Sequence, residues 1–193
     1  MQLSNCRLHR LTEDFIISNF DCGNPDLNDF LLNDSLNYSK ELMGVTYLFT
    51  KKDDIKDIVG FFTVSNDSLR LNDVPNNSKN KVNRKVSNQK RRIYYPAVKI
   101  GRLGINNGYQ KFGLGKEMMD FVKGLFITNN RTGCRFILVD AYNEAKVLNY
   151  YTKNDFKYLL SEEEEGNIFK QGAKPLTRIM YFDLINKVNS NHS

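Results

Sequence analysis

The order of apolar and polar positions divides the chain into recognisable elements. Turn and cap residues fill 12–14 and 21–25. Leu27, Phe30, Leu31 and Tyr38 then recur at helical spacing and predict an amphipathic helix from residue 25 to about 38. Residues 45–50 and 58–65 are rich in β-branched and aromatic side chains and predict two strands. The polar turn between them makes the pair a hairpin. Residues 71–92 show almost no periodicity and are filled with Asn, Ser, Lys and Arg, so they read as a loop. In a compact domain so long a loop is functional or mobile more often than structural. A third strand is predicted over 97–105. A helix follows from 113 to about 128, with Met118, Met119, Val122, Leu125 and Phe126 on its apolar side. Residues 136–139 form a short apolar run typical of a buried strand. A helix over 143–153 carries Ala145, Leu148 and Tyr151, and the last strands are 158–160 and 178–182. No internal repeat is visible.

Composition narrows the class. With 193 residues, 40% hydrophobic and 26% charged, the expectation is one well-filled soluble globular domain spanning 1–193. No apolar run approaches the roughly 18 residues of a membrane helix, and the first residues do not read as a secretory signal. Cys6, Cys22 and Cys134 are too few and too widely spaced for a disulfide framework or a zinc cluster. They point to a reducing, cytoplasmic setting. His9 and His192 sit near the termini, so neither a histidine-based triad nor a metal site is expected. The net charge of +6 changes the picture further, because it is uneven. Residues 74–116 hold eleven Lys and Arg and no Asp or Glu, which leaves the rest of the chain at −5. A local basic surface of this kind suits a nucleotide cofactor or a nucleic acid.

The sharpest motif is Gln110-Lys111-Phe112-Gly113-Leu114-Gly115-Lys116, set between a predicted strand and a predicted helix. The two glycines let a ligand approach the backbone. The helix start offers N–H groups and a positive dipole end, and Lys111 and Lys116 add charge. These features together make a pyrophosphate cradle. The plainer alternative is a glycine turn that only starts a helix. A Walker loop fails because Glu117 follows Lys116 where Ser or Thr is required. A dinucleotide-binding loop would follow the first strand, and this one follows the third or fourth.

With Gln-x-x-Gly-x-Gly at this point in the element order, the chain resembles the GNAT superfamily of N-acetyltransferases from about residue 8 to 184. Three segments carry the resemblance: the strand 100–105, the loop 110–115, and Asp140-Ala141-Tyr142-Asn143-Glu144-Ala145 running on to Tyr150-Tyr151 and Asp155-Phe156. Asp155 stands where that family has glycine, in a turn where Asp tolerates left-handed backbone better than most residues. Residues 20–31, 59–65 and 95–103 are similar to one branch in particular. That branch includes toxins of toxin–antitoxin modules that acetylate aminoacyl-tRNA.

The resemblance implies an α/β (α+β) GNAT fold, with a mixed sheet of six to seven strands and about four flanking helices. It implies acetyl-CoA as cosubstrate and no metal. Its pantetheine arm would lie along Leu103, Gly104 and Ile105, its pyrophosphate on residues 110–116, with Asn143 also in the cofactor site. Tyr151 would be the acid that protonates the leaving thiolate, Tyr150 being a packing neighbour; the plain alternative for Tyr151 is a core-edge residue bonded to the backbone. The family's strand-borne carboxylate base has no counterpart in 74–116. That gap favours an acceptor with a low amine pKa, such as an α-amine near 7.7–8.0 and lower still in an aminoacyl ester, over lysine near 10.4. The basic insertion at about 72–93 would hold tRNA phosphates through Lys90, Arg91 and Arg92, with Tyr94 or Tyr95 stacking on a terminal base. Its alternative is a solvated lysine-rich loop. Glu162 to Glu165 read as a solvated loop or as a dock for a basic partner segment such as an antitoxin tail. The resemblance also allows a homodimer and gives no reason to expect a membrane partner. Other readings are acetylation of a protein or small-molecule amine, and a CoA-binding module without turnover.

Overall fold

A computed structural model describes residues 1–17, 19–128, 130, 132–168 and 174–190. Strand β1 (Cys6–Arg10) precedes a helical stretch made of α1 (Pro25–Asp29), a π-helical turn (Phe30–Asp34) and α2 (Ser35–Lys40). Strands β2 (Val45–Lys51) and β3 (Ile58–Arg70) follow, then α3 (Asn76–Asn83), β4 (Tyr94–Ile105) and α4 (Leu114–Ile127). The chain continues through β5 (Phe136–Tyr142), α5 (Ala145–Lys153), β6 (Lys157–Tyr158), α6 (Glu162–Ile168), β7 (Thr177–Asp183) and α7 (Ile185–Ser190). The strands form one seven-stranded mixed sheet in the order β1-β2-β3-β4-β5-β7-β6. The expected hairpin is β2 and β3, antiparallel, with Thr46 opposite Thr63 and their buried hydroxyls 2.8 Å apart. β4 and β5 are parallel and pair at only three positions, Ala97–Lys99 against Phe136–Leu138, although both strands run further. Among the described residues no helix is long and apolar enough to cross a membrane.

The chain groups into two compact units, 1–66 with 100–125 and 67–99 with 126–193. In the first, Leu11, Phe20, Phe30, Leu31, Leu48 and Phe61 form a buried cluster. Met118, Met119 and Val122 bury the apolar face of α4, and Phe121 sits edge-on to Phe49 at 5.2 Å. This is the helical periodicity of the sequence converted into burial. In the second unit, Leu69, Leu71, Val82, Tyr95, Phe136 and Tyr181 share a core.

Three elements depart from the sequence expectations. The basic insertion is not a plain loop, since it contains α3. Val74, Ser78, Val82 and Val86 are spaced by four; Ser78 and Val82 are buried, and Val74 and Val86 pack on the second core. A single apolar residue, Val82, with the small buried Ser78 one turn before it, is enough for a two-turn helix when a preformed core receives it. The acidic run is also not a plain solvated loop. Ser161 and Glu164 form a reciprocal capping box: the Glu164 N–H donates to Ser161 Oγ at 3.2 Å, and the Ser161 N–H donates to Glu164 Oε2 at 2.8 Å. Glu165 pairs with the buried Arg178 at 2.9 Å. Strand β1 gives no clear sequence signal because its exposure pattern is neither alternating nor apolar, as befits an edge strand.

Candidate active site

The glycine loop is built as an anion cradle. Lys111 and Gly113 have φ of +70° and +80°, and Phe112 between them does not adopt a positive φ. Alternation of this kind turns successive N–H groups toward one side. A Cβ on Gly113 would meet nothing within 4 Å, so the loop opens onto free space there, and glycine is required by its backbone angle. Lys111 and Lys116 are exposed, and Leu114 is buried and anchors the start of α4. These features fit a pyrophosphate. Gly104 is glycine for a different reason. A Cβ there would come within 2.9 Å of Phe61 and 3.4 Å of Cys22 Sγ, so packing demands it.

The motif places Gln110 at the cofactor, but the structure corrects this. Its amide nitrogen is taken up by the protein, donating to Cys22 O (2.9 Å), Ile105 O (2.9 Å) and Asn107 Oδ1 (3.0 Å). Asp21 completes the clamp. Its carboxylate accepts from the Gly23 N–H (2.8 Å), Asn28 Nδ2 (2.8 Å) and Asn107 Nδ2 (2.9 Å). These donors, the Gly23 N–H first, hold the Asp21 carboxyl below its ordinary value. Residues 20–28, one of the segments that carried the resemblance, thus brace the loop ahead of the cradle. Arg102 is a feature that sequence reasoning missed: its guanidinium lies 3.8 Å from the Phe30 ring centroid, and its buried Nε has no hydrogen-bond partner among the described residues. Only an Arg beside an apolar strand position hinted at it.

Tyr151 is set by the end of α5. The Asp155 N–H donates to Thr152 O (3.0 Å) and the Phe156 N–H to Tyr151 O (3.1 Å), with Asp155 at φ +63°. This is a Schellman motif, and its usual apolar contact is Tyr151 against Phe156, with centroids 5.3 Å apart. The expectation that Asp155 could replace glycine in this turn holds. Burial pushes the Tyr151 hydroxyl up to about 12, so it stays a protonated donor at neutral pH. Among the described residues its hydroxyl makes no hydrogen bond. Asn143 does not reach outward, because its amide donates to Pro175 O at 3.0 Å. Asp140 is ion-paired with Lys99 and so is not available as a free base.

In the basic insertion Lys81, Arg84, Lys90, Arg91 and Arg92 are exposed and join no ion pair among the described residues. Tyr95 corrects the sequence reading. It is buried, and its hydroxyl donates to Asn83 Oδ1 (2.7 Å) and accepts from the Arg92 N–H (3.0 Å), so its ring is not free to stack. Tyr94, next in the chain and on the other side of an alternating strand, is half-exposed.

No family model matches the chain. Solved structures do. AtaT complexed with acetyl-methionyl-tRNAfMet superposes with a TM-score of 0.70 at 20% identity, covering 97% of this chain and 99% of that one. A Tyr→Phe mutant of KacT gives 0.70 at 18%, covering 96% and 99%. The fold is the GNAT-like fold of these proteins. A Tyr→Phe mutant of the AtaT toxin, bound to acetyl-CoA and the C-terminus of the antitoxin AtaR, gives 0.67 at 18%, covering 98% and 99%.

Proposed function

We propose that this chain is an acetyl-CoA-dependent N-acetyltransferase, a toxin of the toxin–antitoxin kind, that acetylates the α-amine of aminoacyl-tRNA. The observation that carries the reading is the end-to-end likeness to AtaT, solved with acetyl-methionyl-tRNAfMet and with acetyl-CoA. The open cradle at Gly113 and the Tyr151 hydroxyl, unbonded among the described residues, supply the matching chemistry. That the KacT structure and one AtaT structure are Tyr→Phe mutants fits a tyrosine of consequence. An antitoxin partner is proposed on the same ground as AtaR.

Acetyl-CoA supplies an activated acetyl thioester. Residues 111–116 would hold its pyrophosphate by backbone N–H groups and two lysines. The β4 backbone at Leu103, Gly104 and Ile105 would align the pantetheine arm, and an N–H there would stabilise the oxyanion as the amine attacks. Tyr151 would give its proton to the departing thiolate. The 12 residues of β4 include no Asp or Glu, and Asp140 on β5 is paired with Lys99, so the reaction calls for an amine that is already neutral. An aminoacyl ester meets that condition. The test is initial-rate acetyl transfer from labelled acetyl-CoA to a charged tRNA pool, to lysine peptides and to small amines. Transfer to charged tRNA alone is expected. Faster transfer to lysine peptides would overturn the acceptor assignment.

A further inference from the structure

Three arginines among the described residues are largely withdrawn from solvent: Arg102, Arg135 and Arg178. Two of them face carboxylates. Arg178 pairs with Glu165 at 2.9 Å and Glu162 at 3.5 Å, and Arg135 pairs with Asp183 at 2.8 Å. Arg102 is different. Among the described residues it joins no ion pair and no hydrogen bond, and its buried Nε is unsatisfied. A guanidinium is all donor and always charged, so holding one away from water without an anion is costly. The neighbours of Arg102 are rings, with centroids 3.8 Å (Phe30) and 5.4 Å (Tyr38) from its guanidinium carbon. The two rings meet edge-on at 5.6 Å. Phe30 is buried and opens the π-helical turn, in which the Ser35 N–H donates to Phe30 O and Ser35 Oγ donates to Leu31 O at 2.7 Å. Such turns recur at functional sites. All these aromatic and helical residues lie with Arg102 in the first unit, and Arg102 directly precedes Leu103 on β4.

Stacking on Phe30 fixes the plane of the guanidinium without using its donors. With Nε covered, the fork of the two terminal nitrogens is the end left for a ligand. Such a fork matches two oxygens of one carboxylate or phosphate. An alcohol or a neutral amide would leave the charge uncompensated, and a cation would be repelled. We infer that Arg102 is a specificity-determining residue that binds an oxyanion of the acceptor, beside the amine to be acetylated. On an aminoacyl-tRNA two groups can supply that oxyanion: the last phosphodiester, and the side-chain carboxylate of an aspartyl or glutamyl ester. The inference rests on the aminoacyl-tRNA reading for its ligand, but its binding test requires no turnover.

The variants are Arg102→Met, which keeps an unbranched chain over Phe30, and Arg102→Lys, which keeps the charge without the fork. Acetyl-CoA should raise the melting temperature of both as it does the wild type. Binding is read with two probes, an uncharged RNA tetranucleotide and N-acetylglutamate α-methyl ester, a product of the carboxylate case. Transfer is read with leucine methyl ester, which has no anion, with glutamate α-methyl ester, and with a charged tRNA pool followed amino acid by amino acid. In Arg102→Met, KM for the anion-bearing acceptor relative to leucine methyl ester should rise roughly 10- to 150-fold, the loss expected for hydrogen bonds to a charged group. Arg102→Lys should recover part of that loss. If the oxyanion is the phosphate, the rise is the same for every aminoacyl-tRNA, and the salt slope of tetranucleotide binding falls by about 0.7. If it is the carboxylate, the rise is confined to aspartyl and glutamyl acceptors, and Arg102→Met binds the acetylglutamate ester more weakly. Wild-type affinity of Arg102→Met for both probes would overturn the assignment, as would an equal rise in KM for leucine methyl ester. If the wild type transfers no acetyl group yet binds one probe through Arg102, the acetyltransferase reading fails and the oxyanion assignment stands. If transfer to charged tRNA proceeds and Arg102→Met alters neither the KM ratio nor probe affinity, only the oxyanion assignment fails.

Discussion

Tyr151 shows how a single side chain acquires its chemistry from its neighbours. Helix α5 ends in a left-handed residue, the ring is fixed against Phe156, and burial keeps the hydroxyl protonated. Tyr151→Phe is expected to keep acetyl-CoA affinity and to lower turnover by roughly 10²–10⁴-fold, the usual value of a positioned acid. The sign of its pH effects follows from the raised pKa. Since the hydroxyl titrates only near about 12, kcat/KM should rise with pH as the acceptor amine loses its proton and show no fall from Tyr151 at neutral or mildly alkaline pH. The neutral folded hydroxyl stabilises the protein fully below its unfolded pKa of about 10, and that contribution fades as pH climbs from there toward the folded value. Alkaline unfolding of Tyr151→Phe should lack this component; identical alkaline limbs in both proteins would contradict the burial of the hydroxyl. Little of this was legible residue by residue. The family-like segment singled out Tyr151, and Asp155 was recognisable as a tolerable substitute for glycine. The Schellman contact depends on an angle that no spacing reveals.

At the scale of elements, the glycine loop and its brace are two separate devices. The motif was readable because φ requirements leave a sequence trace: glycine marks position 113. Lys111 left none, since its positive φ is imposed by the surrounding loop. The brace was unreadable as such, because the hydrogen bonds that join Asn107 to Asp21 and Gln110 to Cys22 link residues more than 80 positions apart. Acetyl-CoA at about 100 times its Kd should raise the melting temperature by about 5–10 °C for a chain of this size. Gly113→Glu should abolish that rise by placing bulk and negative charge in the cradle; an undiminished shift in the mutant would move the pyrophosphate elsewhere. The brace has an acid signature. The Asp21 carboxyl is held below its ordinary value, so its stabilisation is present above the usual carboxylate range and disappears as pH falls through the folded value. Asp21→Asn, which cannot titrate, should therefore show a flatter fall of melting temperature below about pH 4. An unchanged acid limb would show that the clamp is not coupled to folding.

Across the whole molecule, the second unit carries Tyr151 and the basic insertion, and the first carries the glycine loop and its brace. Class and element order were legible because strands β2 to β5 and helix α4 bury strong apolar faces. Helix α3 was not, since a helix whose only apolar residue is Val82 gains its stability from the core it meets and not from its own pattern. Charge was legible as composition, while its availability, with Lys90, Arg91 and Arg92 exposed and outside every ion pair among the described residues, is a property of the fold. Changing these three residues to Glu should weaken tRNA binding and reduce its salt slope by about 0.9 for each duplex phosphate that is no longer neutralised, with acetyl-CoA binding unchanged. Equal slopes would return the segment to a solvated face.

The central claim is that the chain moves an acetyl group from CoA to the α-amine of an aminoacyl-tRNA, with Tyr151 as the proton donor. It is tested most directly by incubating wild type and Tyr151→Phe with acetyl-CoA and a charged tRNA pool, then releasing the amino acids and weighing them by mass spectrometry. Amino acids heavier by one acetyl group with the wild type, and nearly none at the same time point with Tyr151→Phe, are the predicted result. Unmodified amino acids in both reactions, or equal acetylation by the two proteins, would contradict the account.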